Sequence, residues 1–195
     1  CGKTRLAATS LLIKGLQSPE GCDGVMYIAP TQGQARKLMW KLLHKMGRDV
    51  IESSHINNAE ITLVNGSVIY ICGADNPDTL RGPSLFHVIP DEYAFMKKDI
   101  FEEIIRPALS DYEGTGLFIS SPDFRNHFYD VYQQGNPESH TYDKEYKSWH
   151  FTTYDNPYIK RSEIENARRT LSSFAFKKEY LASFDTIGAG TLKEE

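Results

Sequence analysis

Three short, almost purely apolar runs constrain this chain more than any other feature. Gly24 to Ala29 (GVMYIA), Leu85 to Ile89 (LFHVI) and Gly116 to Ser120 (GLFIS) have strand length and little alternation of apolar with polar residues. Such strands need cover on both faces, as in a parallel sheet with helices above and below. Helical patterns fill the intervals. Thr4 to Gly15 reads as a helix with Leu6, Leu11, Leu12 and Leu16 near one face. Gln32 to Gly47 reads as an amphipathic helix with a stripe of Ala35, Leu38, Met39, Leu42, Leu43 and Met46. Ile100 to Leu109 is helical, weakened near its end by Pro107, and Asn126 to Gln134 is helical again. The alternation predicts an α/β fold, a mostly parallel sheet flanked by helices.

Glu60 to Val64 and Ser67 to Cys72 do alternate, and Asn65-Gly66 joins them. That pair predicts a hairpin with a type I′ turn, which needs positive φ at both positions. Trp149 to Thr152 is expected as the last strand of the sheet. Ser162 to Ser183 is helical and charged, and a Gly-rich tail, Ile187 to Thr191, follows. No repeat breaks this pattern. Residues 1–154 are expected to form the core, and residues 155–195 a lid or linker.

The bulk numbers exclude several classes. A chain of 195 residues with 40% hydrophobic and 25% charged residues is long enough for one ordinary domain with a core. No apolar run approaches the ~20 residues of a bilayer span. A net charge of −4 argues against a protein that coats DNA, while leaving a local contact patch open. Cys1, Cys22 and Cys72 have no metal-ligand spacing and are odd in number, which fits a reduced intracellular protein. The six His residues form no HExxH pattern.

Four features carry chemistry. Gly2-Lys3-Thr4 opens the first helical stretch and matches the end of a phosphate-binding loop, G-x-x-x-x-G-K-[ST]. In that setting Lys3 reaches the β- and γ-phosphates, the Thr4 hydroxyl holds Mg²⁺, and the helix N-terminus faces the same anion. Gly2, Lys3, Thr4 and the next residue, Arg5, are thus the candidate ATP-binding residues. A GKT tripeptide alone is a common helix start; its place ahead of ordered partner motifs gives it weight. The strand Phe86 to Ile89 leads to Asp91-Glu92, as a Walker B strand does. Asp91 would serve Mg²⁺, and Glu92 would be the general base toward the attacking water. Pro90 is unusual there, because proline cannot donate to a ladder. Arg81 lies in the loop Thr79-Leu80-Arg81-Gly82-Pro83. It is an arginine finger toward a phosphate or a solvated loop residue, and its surroundings in sequence do not decide. Ser120-Ser121-Pro122 is a γ-phosphate sensor or an ordinary turn, again undecided on spacing.

Taken in order, these segments resemble the ATPase domain of phage terminase large subunits. The resemblance covers Tyr27 to Ala35 (YIAPTQGQA), Leu80 to Ser84 (LRGPS), Val88 to Ala94 (VIPDEYA), Ile119 to Pro122 with Arg125 to Tyr129 (RNHFY), Asp155 to Tyr158 (DNPY) and Glu179 to Phe184 (EYLASF). It implies a P-loop NTPase of the additional-strand, catalytic-Glu type that uses ATP and Mg²⁺. It further implies Lys3 and Thr4 as Walker A, Asp91 as the metal residue, Glu92 as the catalytic base, Ser120, Ser121 and Pro122 as the coupling motif, and Arg81 as a finger acting on the neighbouring subunit's ATP. The implied task is driving double-stranded DNA into a procapsid, with the portal protein, the small terminase subunit and further copies in a ring as partners, in the host cytoplasm and transiently at the portal vertex. Cys1 stands inside a motif, so the first strand and the front of the P-loop are expected to precede it. A nuclease domain is expected beyond about Phe184. The piece alone is then expected neither to cut DNA nor to bind ATP normally. Lys3 and Asp91 should lie at the carboxyl edge of adjacent strands, with an unfilled slot beside the Walker B strand.

Two other classes compete. A superfamily 1 or 2 helicase-like translocase shares the P-loop, a segment like Ala29-Pro30-Thr31 and an Asp-Glu box. It needs a second motor domain, and only roughly 70 residues follow the coupling segment. A scaffold with a dead ATP site has no reason to keep Lys3, Thr4, Asp91 and Glu92 together.

Overall fold

β1 (Gly24–Ala29) is buried at every position and lies between two parallel neighbours, which is why its sequence has no polar face. The computed structural model describes residues 2–185. The chain divides into two compact units, Gly2–Ile119 and the part from Ser120 onward, a division that falls well before the boundary expected after Tyr154.

In the first unit α1 (Lys3–Leu16) precedes β1, and α2 (Gln32–Met46), β2 (Ile51–His55), β3 (Glu60–Leu63), β4 (Val68–Gly73) and β5 (Leu85–Pro90) follow. A π-helical stretch, Ile100–Ile105, runs into the short α3 (Arg106–Ser110) before β6 (Thr115–Gly116). The sheet order is β2-β3-β4-β1-β5-β6. β4, β1, β5 and β6 run parallel to one another; β2 and β3 add an antiparallel edge. This is the predicted α/β architecture. β2 was not expected: IESSH is polar and nearly all exposed, as an edge strand can be.

Val25, Tyr27 and Ala29 face α1 and α2 in one core that also holds Ala7, Ala8, Leu11, Ala35, Met39, Leu43 and Ile89. Met26, Ile28 and Val88 alternate to the opposite face and are equally buried. The buried side of α1 is Ala7, Ala8, Leu11, Leu12 and Gly15, so the expected face is only half right: Leu6 and Leu16 are exposed. Small residues let α1 sit close to the sheet, since a Cβ on Gly15 would meet Leu63 Cδ1 at 2.6 Å. In α2, Ala35, Met39 and Leu43 are fully buried, while Leu38 faces out.

The hairpin forms, with a different turn. Gly66 N–H donates to Leu63 O at 2.8 Å and Leu63 N–H to Ser67 O at 2.8 Å. Of the Asn65-Gly66 pair only Gly66 has positive φ, +84°. This is a type I turn closed by a left-handed glycine, in place of the expected type I′ pair. Pro107 is the second residue of α3, directly after the π stretch, where the helical run changes its hydrogen-bond spacing. GLFIS is not a continuous buried strand. β6 has two residues, and Ile119 rejoins the sheet by a single bridge to Asp91. β5 is flanked by β1 and β6, so the expected empty slot beside it does not occur.

The second unit contains α4 (His127–Gln134), α5 (Arg161–Thr170) and α6 (Ser173–Leu181). Its small core is Ile164, Ala167 and Phe176, with Tyr154, Ile159, Tyr180 and Leu181 packed around. Trp149 to Thr152 is no strand; Trp149 and Phe151 are exposed, and the segment takes no place in the sheet. The helix expected over Ser162 to Ser183 breaks at Leu171-Ser172, where the Ser172 hydroxyl caps α6 by accepting from Ala175 N–H. The Gly-rich tail, Ile187 to Thr191, lies outside the described residues.

Candidate functional site

Gly2 takes φ +75° and turns the chain directly into α1, so Lys3 and Thr4 occupy the first helical turn. The leading N–H groups of a helix have no acceptor within it, and with the helix dipole they favour an anion. Lys3 and Thr4 are half-buried beside that point, whereas Arg5 is exposed.

The partner group comes from the end of β5. Pro90 is the last strand residue, and its carbonyl accepts from Ile119 N–H at 2.9 Å. In a parallel strand the missing N–H would point the same way, toward the short 115–119 edge, so β1 loses no bond. Asp91 N–H instead donates to Ile28 O at 2.8 Å, fixing the next residue against β1. The strand end is therefore well ordered despite its proline.

Asp91 is one of three buried polar or charged residues among those described. Its Oδ2 accepts from the Tyr27 hydroxyl at 2.7 Å, and its Oδ1 from Glu92 N–H at 3.0 Å. Burial pushes the Asp91 carboxyl up, and the Tyr27 hydrogen bond opposes that shift. Burial, then the bond to Asp91, pushes the Tyr27 phenol up as well. Glu92 adopts φ 56°, ψ 42°, the left-handed region, at a cost of roughly 1–2 kcal/mol for a residue with a Cβ. Its carboxylate reaches Lys3: Nζ to Oε1 is 3.6 Å. The GKT helix start and the Asp-Glu box thus meet, although far apart in sequence. Lys3 stands on a helix rather than on a strand next to β5, which corrects the expected placement of Lys3 and Asp91 on adjacent strand ends.

Arg81 does not join this group. It ends a single helical turn, Pro77–Leu80, and its side chain is 55% exposed with an ion pair to Asp78 at 4.0 Å. In the second unit, Ser120 Oγ donates to Ser121 O at 2.9 Å and Pro122 is buried. The segment follows directly on Ile119, the bridge partner of Asp91.

Two residues near the site were not singled out by sequence. Tyr27 was seen only as part of a motif; the usable signal is a phenol inside a fully buried strand, which must find an acceptor. His87, on β5, shares hydrogen bonds with Ser10 Oγ of α1 at 3.0 Å through Nε2 and with Thr115 Oγ1 of β6 at 2.7 Å through Nδ1. Burial, aided by the Lys14 charge, lowers its pKa to about 4, so it is a neutral bridge across three elements.

Residues 1–192 match the family described as terminase large subunit, T4likevirus-type, N-terminal. The terminase large subunit of Escherichia phage T5 is 33% identical over 195 residues, covering 95% of this chain and 42% of that protein. That of Thermus phage G20c is 32% identical over 121 residues, 57% of this chain and 25% of that protein. The chain therefore spans less than half the length of the relatives it matches. Among solved structures, the large terminase ATPase domain of Thermus phage P74-26 superposes with a TM-score of 0.78 at 25% identity, covering 94% of this chain and 84% of that one. The large terminase of a thermophilic bacteriophage, solved in complex with ATP-gamma-S, gives 0.72 at 20% identity, covering 94% and 45%, a likeness of fold. No described helix is long and apolar enough to cross a membrane.

Proposed function

The chain belongs to the T4likevirus-type terminase large subunit family, in its N-terminal part, and on that premise we propose that it is the ATP-hydrolysing engine of a motor that drives double-stranded DNA into a procapsid. The observation that carries the reading is the approach of Lys3 to Glu92 at 3.6 Å beside the buried Asp91. It unites a phosphate-binding helix start with a metal-type carboxylate and a candidate base. The family match favours this over a helicase-type translocase.

Each residue then has a task. The α1 N-terminus and Lys3 bind the β- and γ-phosphates of ATP, with Gly2 and Arg5 beside them. Thr4 and Asp91 are the residues that would hold Mg²⁺. A buried carboxylate whose charged form is penalised by desolvation is a donor that a divalent cation suits, and the Thr4 hydroxyl is a hard oxygen of the matching kind. Bound there, Mg²⁺ supplies neutralisation of charge on the phosphate oxygens. Glu92 takes a proton from the attacking water as its oxygen bonds to the γ-phosphorus and the bond from that phosphorus to the β–γ bridging oxygen breaks, leaving ADP and inorganic phosphate. Arg81, exposed on its loop, offers its guanidinium to the γ-phosphate held by a neighbouring subunit. Ser120, Ser121 and Pro122, continuing from the bridge to Asp91, transmit loss of the γ-phosphate. Residues from 155 onward serve as lid or linker to an endonuclease domain of the full-length protein.

The full-length protein acts as a ring of copies on the portal protein, with the small terminase subunit and double-stranded DNA as further partners, in the host cytoplasm and transiently at the procapsid vertex. The test is a packaging reaction with procapsids, measuring DNA protected from nuclease against ATP consumed. Protection that requires ATP turnover is expected. Packaging with turnover blocked, or a full-length protein that binds no nucleotide, overturns the reading.

A further inference from the structure

Asp91 has a carboxylate with both oxygens already engaged by the protein, and the two donors are of different kinds. Glu92 N–H, on Oδ1, belongs to the adjoining backbone. The Tyr27 hydroxyl, on Oδ2, comes from another strand. Tyr27 is fully buried in the core that α1 and α2 form over the sheet, and it is in register with Ile89 on β5, two residues short of Asp91. Its ring has nowhere else to go, and at 2.7 Å its O–H···O bond to Asp91 has good hydrogen-bond length.

The terminal torsion of an aspartate is broad and soft. One donor on each oxygen removes that freedom. A carboxylate has about four lone-pair directions, so two remain after these bonds, held in fixed positions. We propose that Tyr27 is the positioning residue of the metal site: its hydroxyl sets the plane of the Asp91 carboxylate so that the remaining lone pairs face the divalent cation that accompanies ATP. This rests on the nucleotide-site reading given above.

The test is Tyr27→Phe in the full-length protein, which keeps the ring and removes only the donor. The Mn²⁺ concentration needed to occupy the site with a non-hydrolysable ATP analogue present, read by electron paramagnetic resonance, should rise about 10-fold, the usual loss when an outer hydrogen bond to a metal ligand is removed. Analogue affinity without divalent cation should stay within about twofold, and high Mg²⁺ should restore turnover. 4-Aminophenylalanine at position 27, which returns a donor to the same place, should bring the cation requirement back toward wild type; it also serves if the Phe variant melts early. An unchanged Mn²⁺ requirement in Tyr27→Phe overturns the proposal, as does a loss that neither high Mg²⁺ nor the amino variant reverses, since a purely structural tyrosine would give that. If wild-type protein binds neither analogue nor cation, the parent reading fails instead, which is distinguishable because no variant is involved.

Discussion

Lys3 and Glu92 face each other at 3.6 Å, the first turn of α1 against the turn that follows β5. Each is about a third exposed, so the pair is screened by solvent and holds the fold only weakly. In the proposed function its value is positional: a cation for phosphate and a base for water would share one point. The two residues should therefore fail differently when changed in the full-length protein. Glu92→Gln keeps size and hydrogen bonding but cannot accept a proton, so ATP binding is expected to persist while turnover falls on the order of 10²–10⁴-fold. Lys3→Ala removes a charge that meets phosphate in the ground state, so binding itself should weaken. Equilibrium titration with a fluorescent ATP analogue, alongside turnover, checks both; equal loss of affinity in the two variants contradicts these roles.

His87 gives the fold a dependence on pH. The free imidazole titrates near 6.5, and burial lowers the folded value to about 4. As pH falls from 6.5, the unfolded chain takes up this proton first, so the folded state loses stability through that window and the loss levels off below about 4. The full effect is roughly 3 kcal/mol. Urea unfolding at pH 7, 5 and 4 should show the stability difference between wild type and His87→Gln shrinking as the solution is acidified. A difference that stays constant across the three would mean that His87 does not carry the effect.

How far the sequence revealed the structure follows from where each residue's partners lie. β1 was legible because every position is buried, so composition alone marks it. β2 was not, because an exposed edge strand needs no apolar pattern. The face of α1 was misplaced because the contact is built from Ala7, Ala8 and Gly15, and an apolar count favours Leu6 and Leu16, which are exposed. Trp149 and Phe151 have strand-like side chains, yet a strand also needs a neighbour with unpaired backbone, which sequence does not display. At the site, Lys3, Asp91 and Glu92 were visible as local motifs. The Tyr27–Asp91 and Ser10–His87–Thr115 bonds join residues distant in sequence, and only the parallel register of β1, β5 and β6 brings them together.

Arg81 offers the sharpest separation of possible arrangements. Its ion pair to Asp78, at 4.0 Å, joins two exposed side chains and is too weak to hold it. In the proposed ring the arginine would be available to a neighbouring subunit. A finger acting in trans leaves a lone subunit without one at its own ATP, so the full-length protein should turn over slowly when dilute and faster on the portal. Arg81→Ala should still bind ATP and lose about 10³-fold or more in turnover. Mixed with Glu92→Gln subunits, it should regain part of the activity, because some interfaces then pair an intact Arg81 with an intact Glu92. A finger acting within its own subunit gives no such recovery, since neither variant holds a complete site. A solvated loop residue predicts near-normal turnover of Arg81→Ala alone. Turnover of each variant and of the mixture, all assembled on portal-bearing procapsids, separates the three cases. Absence of recovery sinks the assignment to the neighbouring site, and normal turnover of the single variant sinks the finger itself.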